Sequence, residues 1–142
     1  MPSFALEVAP DAVPVLAGQL RFAQCLQVLG HVSPAAAAGI VTRLSGWLSP
    51  GSSLLLALPY TNEPGDDFRI SEVAVAESRR VEREEYDLIA DAPQPGTLPV
   101  RHFSMPSVLA LLAGARLRQE WVSPYGWLSY EHADLMVLAR KR

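Results

Sequence analysis

Cysteine is nearly missing from this sequence: Cys25 stands alone. That excludes a disulfide within the chain and any metal site built from several thiolates, and it fits a reducing compartment. Long apolar runs are missing too. Nothing approaches the roughly 18 consecutive apolar residues of a membrane span. The opening MPSFALEVAPDAVP has no basic stretch leading into an apolar core, so no signal peptide is expected, no membrane partner is expected, and the cytoplasm is the expected compartment. There is no excess of positive charge. With a net charge of −3, the chain has no basic excess to hold a phosphate backbone, and no nucleic-acid partner is expected. The three histidines do not stand at metal-ligand spacing and the carboxylates form no paired site, so no metal is expected. Internal repeats and low-complexity segments are also absent.

What is present is a chain of 142 residues, 49% apolar, enough to bury the core of one domain. Its most informative stretch is Leu20 to Pro59. Phe22–Leu26 and Leu54–Leu58 are short, almost uncharged apolar runs, as expected of strands covered on both faces. Between them Ser33 is placed to cap a helix with Pro34 at its first position, where the missing N–H costs nothing. Ile40, Val41, Leu44, Trp47 and Leu48 fall on one stripe, and Pro50-Gly51 is the expected stop. The pattern is strand, helix, strand, a parallel βαβ unit, and the class is α/β.

The flanks read less sharply. Ser3–Val8 alternates as a short strand and Ala12–Gln19 as a loop. Tyr60–Asp67 is turn-rich and acidic, and Phe68–Ala76 has no clear period. Arg79–Ala90 is expected to be an exposed helix with a narrow stripe of Val81, Leu88 and Ile89, its charges pairing along a solvated face. Asp91–Pro99 is proline-rich loop. Ser104 is the expected cap of a helix buried through Val108, Leu109, Leu111 and Leu112 and ended by Gly114 in a left-handed conformation. Leu117–Val122 is a strand, Ser123–Glu131 an aromatic loop and Asp134–Ala139 a last strand.

The order and wording of these pieces resemble the C-terminal two-thirds of the class I S-adenosylmethionine-dependent methyltransferase family. The matching residues are Gln27-Val28-Leu29-Gly30-His31-Val32 after the first apolar run, Leu48-Ser49-Pro50-Gly51-Ser52, Leu54 to Pro59, Arg101-His102-Phe103-Ser104, and Leu111-Leu112-Ala113-Gly114. The resemblance implies a truncated Rossmann-like methyltransferase sheet, three-layer, with a parallel βαβ unit and a C-terminal antiparallel strand, its strands ordered four, five, seven, six. It implies one methyltransferase-like domain over 1–142, lacking the first two strands of the family, with 60–104 as a substrate-lid-like insertion. The family's glycine-rich turn and ribose-gripping acid have no counterpart: the sequence holds no G-x-G, and Arg21 stands where the family usually has an aspartate. Without those strands the run at Phe22 is left with a raw edge, to be covered by the N-terminal strand, a second copy in a homodimer, or a complementing N-terminal half.

By resemblance, the cofactor is S-adenosylmethionine, contacted by Asp11 and Ala12 near the adenine and by Gln27 and Val28 on the methionine side. The implied reaction is in-line methyl transfer to a small-molecule acceptor, with His31 or His102 as the base where the acceptor is protonated. The competing reading of each is a satisfied loop or core histidine, and His132 is read as structural. Tyr60, Asn62, Tyr125 and Trp127 are candidates for a substrate lid, against the plainer reading of aromatics covering a sheet edge. Cys25 reads as a buried hydrophobe. Two functions follow: a methyltransferase, inactive or incomplete as this chain alone, or a non-catalytic methyltransferase-like module that dimerises or binds a partner through its exposed sheet edge.

Overall fold

The structure, a computed structural model, describes residues 17–142. The strand expected at Ser3–Val8, together with Asp11 and Ala12, lies outside them. Strand β1 (Leu20–Leu26) is followed by a 3-10 turn at Leu29–His31, helix α1 (Pro34–Trp47) and strand β2 (Leu48–Thr61). β1 and β2 are parallel, which is the βαβ unit expected from the sequence. Ser33 caps α1 as expected, its hydroxyl accepting the Ala36 N–H at 3.2 Å. The helix stops at Trp47, before Pro50-Gly51. Leu48 already pairs with Leu20, but the ladder skips from there to Ser53, and Gly51 sits in the interruption with φ of 83°. The proline and glycine therefore break the strand's pairing instead of ending the helix.

After β2 the chain builds a small second sheet. Strands β3 (Asp67–Glu72), β4 (Glu77–Arg80) and β5 (Thr97–His102) pair antiparallel in the order β4-β3-β5, with helix α2 (Arg83–Asp91) between β4 and β5. Helix α3 (Met105–Gly114) then leads to β6 (Leu117–Tyr125) and β7 (His132–Lys141), which complete the main sheet in the order β1-β2-β7-β6. β7 runs antiparallel to both its neighbours. This is the expected order of strands four, five, seven, six, and among the described residues β1 is paired on one side only.

The core lies between the main sheet and helices α1 and α3. Leu54, Leu56 and Leu58 of β2 and Leu135 and Val137 of β7 are fully buried, and they meet Val41 of α1 and Val108 and Leu112 of α3. Alternation puts the intervening residues Leu55, Met136 and Leu138 on the opposite, half-covered face.

Several expectations are corrected. Arg79 and Arg80 belong to β4, and α2 begins only at Arg83. Its expected apolar stripe does not form, since Leu88 is 73% exposed and Tyr86 is the helix's one buried residue. The segment without clear period, Phe68–Ala76, is mostly β3. Gly114 is the last residue of α3 and is not left-handed; Arg116 takes that conformation instead, with φ of 58°. In α3, Val108 and Leu112 are buried while Leu109 is half exposed. No helix among the described residues is long and apolar enough to cross a membrane.

Candidate active site

The chain leaves β1 through Gln27, a non-glycine residue in the left-handed region with φ of 58°. Such backbone costs energy and is held by its surroundings. The Gln27 N–H donates to the Ala57 carbonyl at 2.8 Å, fixing the turn against β2. The side-chain amide then reaches across the end of β2, donating to Asp134 Oδ1 at 3.1 Å and to the Tyr125 hydroxyl at 3.4 Å. Val28 beside it is exposed. Gln27 thus ties together three strand ends at the rim where β1 and β2 finish and β7 begins. Open α/β sheets bind ligands at this carboxyl end of their parallel strands.

The next residues hold the turn rigid. Gly30 has no room for a side chain: a Cβ there would stand 2.5 Å from Pro59 Cδ. The Tyr86 hydroxyl lies 2.8 Å from the Val32 carbonyl and 3.2 Å from the Gly30 carbonyl, so its single O–H is shared between them. Burial drives the Tyr86 phenol well above its ordinary range. His31 Nδ1 lies 2.8 Å from the Pro99 carbonyl, which can only accept, so that nitrogen is the protonated one.

Beyond β2 an open cavity of about 550 Å³ is lined by Asn62, Trp127, Leu128, Ser129 and Tyr130. Asn62 shapes it from one side, donating from its side chain to the Tyr130 carbonyl at 3.0 Å and from its backbone to the Glu131 carbonyl at 2.8 Å. Of the four residues expected in a lid, Asn62 and Trp127 line this cavity, Tyr125 belongs to the Gln27 cluster, and Tyr60 is buried in the core.

Two charged clusters brace the loop after β2. Asp66 Oδ2 takes Arg101 Nη2 at 2.6 Å and Nε at 2.8 Å, and Oδ1 accepts the Ser104 N–H and hydroxyl, each at 2.9 Å. Ser104 is the N-terminal flank of α3 as expected, but the capping oxygen comes from Asp66, 38 residues away in sequence. Burial raises the Asp66 carboxyl, but the Ser104 N–H, the Ser107 hydroxyl and the Arg101 guanidinium outweigh it and hold the group below its usual range. Asp67 is fully buried. Arg69 Nε lies 2.8 Å from its Oδ2, Arg80 Nε lies 3.2 Å from its Oδ1, and His132 Nε2 lies 2.6 Å from Oδ2. His132 in turn stacks on His102, ring centroids 4.1 Å apart. Burial first, and the neighbouring His132 second, push His102 down to about 4.

Asp66, Asp67, Tyr86, His132 and Asp134 were not singled out as site residues from the sequence. Residues 67, 102 and 132 come together only because β3 pairs with β5 while the end of β2 pairs with the start of β7. No local spacing carries that information.

No family model and no curated protein matches the sequence. Solved structures do match. The 1,6-didemethyltoxoflavin-N1-methyltransferase of Burkholderia thailandensis, solved with 1,6-didemethyltoxoflavin and S-adenosylhomocysteine, superposes with a TM-score of 0.61 over 88% of this chain and 45% of its own, at 14% identity. An S-adenosylmethionine-dependent methyltransferase from Listeria monocytogenes, described as putative, gives 0.62 over 96% and 68%, at 11% identity. The cyclase SpnF gives 0.60 over 94% and 54%, at 12% identity. The chain thus spans about half to two-thirds of the length of these structures. The cofactor of this fold is not accommodated by the described residues alone, because they contain neither a G-x-G turn through which backbone approaches a cofactor nor an acid ending a strand beside β1. The strand order β1-β2-β7-β6, the antiparallel last strand and these superpositions together give the conclusion that the chain has the fold of the class I S-adenosylmethionine-dependent methyltransferases.

Proposed function

We propose that the chain forms the acceptor side of an S-adenosylmethionine-dependent methyl-transfer site for a small molecule. The observation that carries this reading is the convergence of Gln27, Tyr125 and Asp134 at the rim where β1 and β2 end. In this reading Gln27 and Val28, with Asp11 and Ala12 from the preceding segment, contact the cofactor, whose remaining holds come from residues outside 17–142. The acceptor occupies the cavity beside Asn62 and Trp127. The segment 60–104, anchored through Tyr86 and Pro99 to the turn after β1, serves as its cover. A sulfonium methyl is already activated, so the protein's part is to position the acceptor and exclude water. Of the two candidate bases, His102 is unprotonated but, pushed down to about 4, accepts a proton only weakly, and the His31 ring is turned to Pro99.

Fold alone does not determine chemistry, and a cyclase shares this one. A second reading is favoured by β1 being paired on one side only among the described residues: a non-catalytic module that binds a second copy or a partner along that edge. Calorimetric titration of the full chain with S-adenosylmethionine separates the two. Saturable heat that is lost in Gln27→Ala is the result expected of the methyl-transfer site. No heat, with a stable dimer in sedimentation, would replace it with the second reading.

A further inference from the structure

Asp67, His102 and His132 come from three strands, β3, β5 and β7, yet one donor atom of each lies within 4.8 Å of the other two. Each of the three side chains also carries a buried atom without an aligned hydrogen bond. His102 is 8% exposed and its Nδ1 has no hydrogen-bond partner among the described residues; His132 Nε2, 2.6 Å from Asp67 Oδ2, and Asp67 Oδ1, 3.2 Å from Arg80 Nε, are buried within ion-pair range but without an aligned hydrogen bond among those residues. A buried polar atom without an aligned partner is a cost to the fold, and three at one place call for a ligand that aligns with all of them. The 2.6 Å approach of His132 Nε2 to Asp67 Oδ2 does not answer the need, because the two groups are close without being aligned as donor and acceptor.

We propose that Asp67, His102 and His132 bind one divalent transition-metal ion of the zinc class, joining the three-stranded sheet to β7 of the main sheet. Two imidazoles and one carboxylate suit zinc, cobalt or nickel, and fit poorly the all-oxygen shells of magnesium and calcium. Three protein donors are also the number found where such an ion keeps one position open. Around a tetrahedral ion with bonds of about 2.0–2.1 Å the donors stand about 3.3 Å apart, so the Asp67–His132 contact opens on binding and the wider distances close. The charged groups facing the cluster are Arg69 and Arg80 against Asp67, and Asp134 near His102. The two arginines oppose a cation, so the ion is held less tightly than by an uncompensated carboxylate and a chelator removes it.

The test uses the full chain, stripped with chelator and titrated with Co²⁺. One equivalent is expected to produce a visible absorption band that Zn²⁺ abolishes. The band is expected to disappear in His102→Ala and in His132→Ala, and to survive in His31→Ala. Absence of a band in folded wild-type protein, or a band that persists in both variants, would overturn the site. Where the alanine variants fail to fold, imidazole nitrogen shifts in the wild-type chain decide: Zn²⁺ is expected to move the His102 and His132 resonances and leave those of His31. Shifts at His31 alone, or at no histidine, would contradict it.

Discussion

Asp66 is the residue on which the loop after β2 depends. Its carboxylate joins Arg101 and the start of α3 in a nearly buried ion pair, both side chains being about one-tenth exposed. Removing one partner of a buried pair leaves the other charge uncompensated, which costs about 3–5 kcal/mol. Asp66→Ala is therefore expected to lower the unfolding free energy by that order in urea denaturation; a loss below about 1 kcal/mol would show that solvent replaces the carboxylate. Gly30 presents a different constraint, since a methyl group there meets the rigid ring of Pro59. Gly30→Ala is expected to cost about 1–3 kcal/mol through overpacking in the same assay. Cys25, buried and with its thiol pushed up by that burial, is expected to react with a maleimide far more slowly in the native chain than in denaturant. Equal rates would place Cys25 at the surface.

At the level of elements, the parts read best from the sequence were those with strong local signals, although β1 is not covered on both faces as expected, Phe22 and Leu26 being nearly half exposed. β1, α1 and β2 carry dense apolar runs and a local start signal at Ser33-Pro34, and these agree with the fold, although Pro50-Gly51 interrupts β2 and does not stop α1. β4 is exposed along its whole length, so Glu77–Arg80 shows none of the alternation that marks a half-buried strand, and its arginines read as the start of a helix. α2 was misread in its packing for a related reason. Its attachment to the domain is Tyr86, a single ring whose hydroxyl meets two carbonyls, and one aromatic makes no periodic stripe. Tyr86→Phe is expected to cost about 1 kcal/mol by losing that hydrogen bond, whereas Leu88→Ala, on the exposed side, stays within about 0.5 kcal/mol of wild type. Chemical denaturation of both variants checks the contrast. The reverse order would mean that α2 is held by Leu88.

For the molecule as a whole, the main sheet was written in the sequence as an ordered set of phrases, while the candidate site was written there only in part. Gln27 could be singled out because it sits in one of those phrases, and Trp127 because it stands in the aromatic loop between the last two strands. Asp134 and the Asp67, His102 and His132 cluster could not, because their proximity is a product of strand register between segments some 30 to 100 residues apart. The N-terminal residues expected to contact a cofactor lie outside the described part of the chain, so the rim at Gln27 carries the functional account. The most direct test is an amide-resolved NMR titration of the full chain with S-adenosylhomocysteine. The predicted result is a saturable set of shifts centred on Gln27, Val28 and Asp134, with β4 and the outer face of α2 unmoved. Shifts confined to β4 and α2, or a spectrum unchanged at saturating ligand, would contradict it.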